Sequence, residues 1–442
     1  MKLVNTYKHI FNIILLFMVN NMTAQEAWTL QQCLDSAQAY NKQLQIYRNN
    51  IAISQQKEKE ATANLVPKLS ANADYKYFAE LPHQLMPLNT FNPKAQEWQF
   101  KDVQFGVSHN INVGLQLVIP LYNTQIYSGI QQTKTAKELA ELQLQKTEEQ
   151  VVIDITTLYY NAQIIKKQLI FIDSNISNTY RLLQTVQLLH KQQMAKISDV
   201  TKVNLQAEQL QAQKEQLQYK YIQILNALKL SIGISYKRNI IASDEIVFTQ
   251  KEDSKIKNNI DYQLIQIQQK IIHIELHSLS YSRFIPSFNL IGSYGTTGFG
   301  YDKKPNNFLK FYPVSFAGLQ LNYTLFNGTT TQRKINQKKL ELKNNELQTQ
   351  ITLEKNEIEI INTSNQKKIA LLMIYHAEKQ ITQAQTIYEQ VILQQKQEIA
   401  NLTDVLLADN TLRETQQNYL AAIIDYLKAD LELKKLTGTI KN

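Results

Sequence analysis

The chain has 442 residues and a formal net charge of +9. Its mean hydropathy of −0.34 and the lack of any run of about 20 apolar residues exclude a helical membrane protein. Only 11 glycines, 8 prolines and one cysteine interrupt it, which favours long helices and excludes an intrachain disulfide. Its lysines are scattered among glutamates and glutamines, so the charge reads as a solvated surface and not as a nucleic-acid footprint.

In chain order, Lys2 and Lys8 precede the apolar run Ile10–Val19, and Met22-Thr23-Ala24 offers a small residue at a cut before Gln25. Residues 1–24 are thus expected to be a Sec signal peptide. A helix is predicted over 28–64, with Leu30, Leu34, Ala37, Asn41 and Leu44 as its stripe and Cys33 beside it as a buried thiol. Strict alternation follows in 67–77 and 110–121. Leu69, Ala71, Ala73, Tyr75 and Tyr77 alternate with polar residues, as do Ile111, Val113, Leu115, Leu117 and Ile119. A loop, 78–104, separates these two strands. One glycine, Gly129, and no proline occur between Thr124 and Gln193, so a single helix of about 105 Å is expected there. A turn at Ala195–Ser198 leads to a helix over 198–232. Its seam, Val200, Val203, Ala207, Leu210, Lys214, Leu217, Tyr221, Ile224 and Leu228, steps by three and four, the mark of coiled-coil packing.

The same order then recurs. Val113–Asn123 reads VGLQLVIPLYN and 317–327 reads AGLQLNYTLFN, identical at six of eleven positions. Asp199-Val200 returns as Asp404-Val405, Gly233 as Gly438, and Val66-Pro67 as Ile285-Pro286. The expected organisation is therefore two structural repeats, 25–235 and 255–438, joined by a linker at 236–254 and followed by a short tail, 439–442. In the second repeat, strands carry Phe288, Leu290 and Tyr294, then Leu319, Leu321 and Tyr323, with a loop at 297–311 between them. A turn at Ala400–Thr403 precedes a seam through Val405, Ala408, Leu412, Thr415, Tyr419 and Ala422.

Each strand spans about 10–12 residues, the length of a membrane β-strand. Four strands cannot close a barrel, which needs about eight, and an open edge in lipid leaves backbone groups unpaired. Several chains must therefore contribute.

The opening WTLQQCLDSAQAYNKQLQ, the paired strands, SDV and TDV at the hairpin turns, and the closing LTDVLLADNTLRETQQNYLAAIIDYLKADLELKKLTG together resemble the TolC-like outer membrane efflux proteins. The resemblance implies an α+β membrane protein. Its long coiled-coil helical hairpins would form an α-barrel, and its four transmembrane β-strands per chain would join a shared trimeric β-barrel. It implies a homotrimer in the outer membrane with a helical tunnel in the periplasm. The duct would be passive, part of a tripartite efflux pump or type I secretion system, and opened by a periplasmic adaptor and an inner-membrane transporter. It also implies a carboxylate ring at the periplasmic constriction, matched by Asp404, with Asp199 its counterpart in the first repeat. A helix N-cap is the alternative role for both. The second acidic position of the ring is Leu407 here. Glycines expected six residues before each Asp are Gln193 and Glu398. With Ala195, Ile197, Ser198, Ala400, Leu402 and Thr403, these form the expected adaptor-contacting tips.

Asn110, Asn112, Gln116 and Asn322 are expected in the barrel lumen. His273 and His277 have a metal-capable spacing, but Ile271, Ile272 and Ile274 beside them suit a surface or interfacial helix. Neither a phosphate loop nor a nucleophile elbow occurs, so no enzyme activity, metal or cofactor is expected. The competing reading is an exported coiled-coil scaffold or adhesin without a pore, which has no use for four strands of this length.

Overall fold

The computed structural model describes residues 26–243, 259–302 and 307–440. The expected signal peptide, residues 244–254 of the linker and the last two residues of the tail lie outside the described residues. The elements are β1 (Glu26–Trp28), α1 (Leu30–Tyr40), α2 (Lys42–Ala63), β2 (Lys68–Tyr77), β3 (His83–Pro87), β4 (Phe100–Gln104), β5 (His109–Tyr122), α3 (Thr124–Lys191), α4 (Ile197–Ser231) and β6 (Ile240–Ala242). The order continues with α5 (Ile260–Tyr281), β7 (Ser287–Tyr301), β8 (Phe308–Asn322), α6 (Thr330–Lys396) and α7 (Leu402–Leu436). The long helices α3 and α6 have 68 and 67 residues, and the return helices α4 and α7 have 35 each.

The helix expected over 28–64 is two helices. Thr29 and Gln32 close a reciprocal capping box at the start of α1. Asn41 then leaves the helical region at φ −63°, ψ 122°. Its Oδ1 accepts from the Leu44 N–H at 3.0 Å and its Nδ2 donates to the Ser231 carbonyl at 2.6 Å. One polar side chain thus both starts α2 and ties it to the end of α4. Gly233, at φ +78°, lies against the Tyr40 carbonyl where a Cβ would collide. Only glycine fits both the left-handed backbone and that approach.

The chain divides into two compact units. The first comprises Met1–Asn50, Ala140–Gln266 and Leu347–Asn442. It holds three clusters of buried side chains. One joins Cys33, Ala37, Leu44, Ile155, Tyr159 and Leu228 with Ile240 and Ala242 of β6. A second joins Val186, Val203, Val405 and Leu412 with Tyr388. A third joins Ile164 with Ile374, Leu420 and Tyr426. The expected linker contributes β6, which pairs in parallel with β1. Tyr159 stitches this pair to α3: its hydroxyl donates to the Trp28 carbonyl at 2.9 Å and accepts from the Ser243 N–H at 3.2 Å. Arg238 pairs with Glu26 at 2.7 Å. The Trp28 indole N–H and Arg238 hold the Glu26 carboxyl below the ordinary carboxylate value.

The second unit comprises Ile51–Leu139 and Ile267–Glu346. Its centre is one antiparallel sheet in the order β2-β5-β7-β8, which leaves β2 and β8 as edges. Strands β7 and β8 have 15 residues each, so 297–301 and 308–311, expected in a loop, are strand. Alternation continues through Phe299 and Tyr301, and Gly298 makes room for the Phe311 ring, which a Cβ would meet at 2.6 Å. Nor is 78–104 a plain loop: it folds into a second hairpin, β3 with β4.

Candidate functional site

Both hairpin turns end their long helices in the same way. At the first, the Met194 N–H reaches the Leu189 carbonyl at 2.8 Å and the Gln193 N–H reaches His190 at 2.9 Å. At the second, Ile399 bonds to Gln394 at 2.9 Å and Glu398 to Gln395 at 3.0 Å. This is the Schellman pattern, which needs a left-handed residue after the helix end. Gln193 and Glu398 supply it at φ 62° and 63°. The turn therefore keeps a geometry that favours glycine while carrying side chains that glycine lacks.

Asp404 is exposed in the first turn of α7. It is not the N-cap. Asn401 holds that position and accepts from the Asp404 N–H at 3.0 Å, while Asp404 Oδ2 accepts from the Asn401 N–H at 2.9 Å. Asp199 repeats half of this arrangement, accepting from the Lys196 N–H at 3.3 Å. A lysine side chain has no acceptor to return, so the reciprocal bond is missing. Lys202 lies 3.8 Å from Asp199. The Asp404 carboxylate has no such cation among the described residues. Both carboxylates lie in the first turn of a helix, at the positive end of its dipole. Around them Gln193, Ile197, Ser198, Glu398 and Thr403 are exposed, and Ala195, Ala400 and Leu402 are half-buried. Leu407, which stands where a second acid is expected, is 67% exposed.

The cluster beneath the turns holds a charged group that the sequence pattern did not single out. Asp409 on α7 is 2% exposed. Its Oδ2 accepts from Gln206 Nε2 of α4 at 2.5 Å and from Arg413 at 2.9 Å, and its Oδ1 has no partner. Burial raises its pKa against the opposing pull of Arg413 and Gln206. Tyr388 of α6 is pushed up to about 12 by burial and by the negative Asp409, partly offset by Arg181 and Arg413. Helices α4, α6 and α7 thus meet at one carboxylate. The only sequence signal was the i,i+4 pair Asp409–Arg413 next to the seam.

In the sheet, register places Asn110, Asn112, Gln116 and Asn322 on one face. Asn110 pairs with Lys76, Asn112 with Asp74, Gln116 with Ser70, and Asn322 with Ser287. Asn112 Nδ2 donates to Asp74 Oδ2 at 3.1 Å. The opposite face, with Leu69, Tyr75, Val113, Leu115, Tyr294, Phe311, Leu319 and Leu321, carries no Asp, Glu, Lys or Arg on any of the four strands. His273 and His277 are both exposed on α5, and His277 stacks on Tyr281 at 4.0 Å. Among the described residues no group of three or more His, Cys, Asp or Glu is arranged to hold a metal.

Residues 33–234 match the family model described as "Outer membrane efflux protein". No curated protein matches the chain by sequence. The fold is that of solved outer membrane channels. VceC from Vibrio cholerae superposes at a TM-score of 0.73 with 15% identity, covering 92% of this chain and 96% of that one. CmeC from Campylobacter jejuni gives 0.71 and 15%, covering 93% and 85%. The open state of MtrE from Neisseria gonorrhoeae gives 0.70 and 16%, covering 92% and 88%. Residues 33–234 of this chain thus resemble the outer membrane efflux proteins in sequence, and the chain as a whole has the fold of the solved outer membrane channels.

Proposed function

We propose that the chain is one subunit of a passive outer membrane exit duct, the outermost part of a tripartite efflux pump or type I secretion system. The observation that carries this is the open sheet: four long strands, one face free of Asp, Glu, Lys and Arg, and two edges with no strand partner among the described residues. Such edges are untenable in lipid unless other chains pair with them. Three chains would give twelve strands, enough for a closed barrel, with Asn110, Asn112, Gln116 and Asn322 in its lumen. Residues 25–235 and 255–438 would then be two quasi-equivalent segments of the wall. The long hairpins of α3–α4 and α6–α7 would build a helical tunnel in the periplasm. Its energy would come from an inner-membrane transporter, joined through a periplasmic adaptor that touches the tips at Gln193, Ala195, Ile197, Ser198, Glu398, Ala400, Leu402 and Thr403.

Asp404 would supply the constriction. Three copies of an exposed carboxylate in a narrow pore concentrate cations and repel anions. Asp199, partly neutralised by Lys202, would contribute less. The test is the mass of the protein extracted in gentle detergent from the outer membrane fraction, corrected for bound detergent, followed by conductance in planar bilayers. Three chains per particle and a cation-selective pore that loses selectivity in Asp404→Asn are expected. A monomer, or recovery only as soluble protein, would return the lead to a scaffold without a pore. Unchanged selectivity in the variant would leave Asp404 as a capping residue only.

A further inference from the structure

The polar face of the sheet is not polar throughout. On β2 and β5 it presents Lys68, Ser70, Asn72, Asp74, Lys76, Asn110, Asn112 and Gln116, as an aqueous surface should. Along β8 the same face presents Phe308, Lys310, Tyr312, Val314 and Phe316, which the register sets beside Tyr301, Phe299, Thr297, Gly295 and Ser293 of β7. All five β8 side chains are exposed. Phe299 and Tyr312 have ring centroids 6.1 Å apart, and Tyr301 and Phe308 6.4 Å apart, so two ring pairs follow one another along this strip, with Val314 and Phe316 beyond them. These are not lipid-facing girdle residues, because the charge-free face is the other one and every charged residue of the four strands shares theirs.

The charge on this face is unbalanced too. It holds three lysines, Lys68, Lys76 and Lys310, against one carboxylate, Asp74. Asp74 is already engaged by Asn112 at 3.1 Å and lies 4.0 Å from Lys76. Lys310 stands opposite Phe299, between Phe308 and Tyr312, with no carboxylate paired to it among the described residues. A cation set in an aromatic strip recognises one kind of solute: an apolar or aromatic body carrying an anionic group.

We propose that this strip is a sliding track for amphiphilic organic anions, aromatic carboxylates or sulfonates, and that such molecules are the substrate class of the duct. The inference rests on the duct reading above, which puts this face in the lumen. The Asp404 carboxylates act on the closed pore, whereas the track acts on solute already admitted. Weak stacking on successive rings, with a single lysine charge and water close by, lets such a solute bind and still move on.

The test is current block in bilayers holding the full-length protein, with 2-naphthalenesulfonate, methanesulfonate and 1-naphthylmethylammonium as probes. Naphthalenesulfonate is expected to block at a concentration at least about tenfold below methanesulfonate, which has the charge without the ring. In the Asp404→Asn channel, where the constriction no longer draws cations, it should also block below naphthylmethylammonium, which has the ring without the negative charge. The pair Tyr312→Ser and Phe316→Ser should remove most of the first difference, and Lys310→Gln most of the second. The side chains at 312, 316 and 310 are exposed, so the variants keep the sheet's register. Equal block by both sulfonates, or block that survives these substitutions in a conducting channel, overturns the track and leaves the duct standing. If no channel forms at all, the duct reading fails and the track fails with it.

Discussion

The two compact units put their apolar side chains in opposite places. In the first, two of the three clusters bury Tyr159, Ile155, Val203, Val405 and Leu412 to 1% exposure or less. In the second, all ten residues of β2 are exposed and β8 shows large apolar groups on both faces. A chain with both features is stabilised from within in one unit and by its surroundings in the other. The helical unit follows the rules of a water-soluble core, while the sheet needs lipid on one face and further strands at its edges.

Substitutions can break or sharpen that contrast. Leu412→Ala removes a fully packed side chain from the helical core and should cost about 2–5 kcal/mol, read by denaturant titration of the detergent-solubilised protein. A loss under about 1 kcal/mol would mean this core does not act as one. On the sheet, Leu319→Arg should cost about 2–4 kcal/mol in folding into lipid vesicles, and Asn112→Arg, on the other face, far less. Equal costs would mean that the two faces do not meet different solvents.

The third prediction concerns Asp409, the one buried carboxylate among the described residues. Burial lifts Asp409 above its ordinary value of 3.8. An acid raised in the folded state contributes its relative stability in full below the unfolded value and loses it as pH rises through the folded value. Stability of the native protein relative to Asp409→Asn should therefore increase as pH falls toward about 4 and shrink toward neutrality. A difference that is flat with pH would place the carboxylate in water. The smallest effect belongs to the turns. Glu398→Gly relieves left-handed strain and should stabilise by about 1 kcal/mol, whereas Lys396→Gly, still inside α6, should lose a similar amount. Thermal unfolding of both variants separates turn geometry from a general tolerance of glycine.

How much of this could be read from the sequence depended on how local each cause is. Heptad seams and period-two strands are local patterns, and they led to α3, α4, α6, α7 and the four strands of the sheet. The break at Asn41 could not be read that way, because its amide is held by Ser231, far along the chain. β6 was three residues inside what looked like a link, and only its partner β1 makes it a strand. Strands β7 and β8 ran longer than expected because Gly298 and Gly300 resemble loop residues until Phe311, Ile111 and His109 are seen against them. At the candidate site, the turns and their aspartates were legible from the repeat. Asp409 was not, because it gives no periodic signal and its burial is set by other helices. The left-handed backbone at Gln193 and Glu398 ran against their residue type and is dictated by the Schellman bonds around them.

The parallel pairing of β1 with β6 has a consequence for how the chain acquires its structure. The Glu26–Arg238 contact that accompanies it joins residues 212 apart. The strip does not close this loop alone: Ser36 reaches the Ile232 carbonyl, Asn41 the Ser231 carbonyl and Tyr40 the Gly233 backbone, so α1 and the end of α4 share its entropy of closure. The beginning of the described chain therefore finds its strand partner only once the residues through Ser243 have been made. The strip is a clasp that no shorter stretch of the chain can shut.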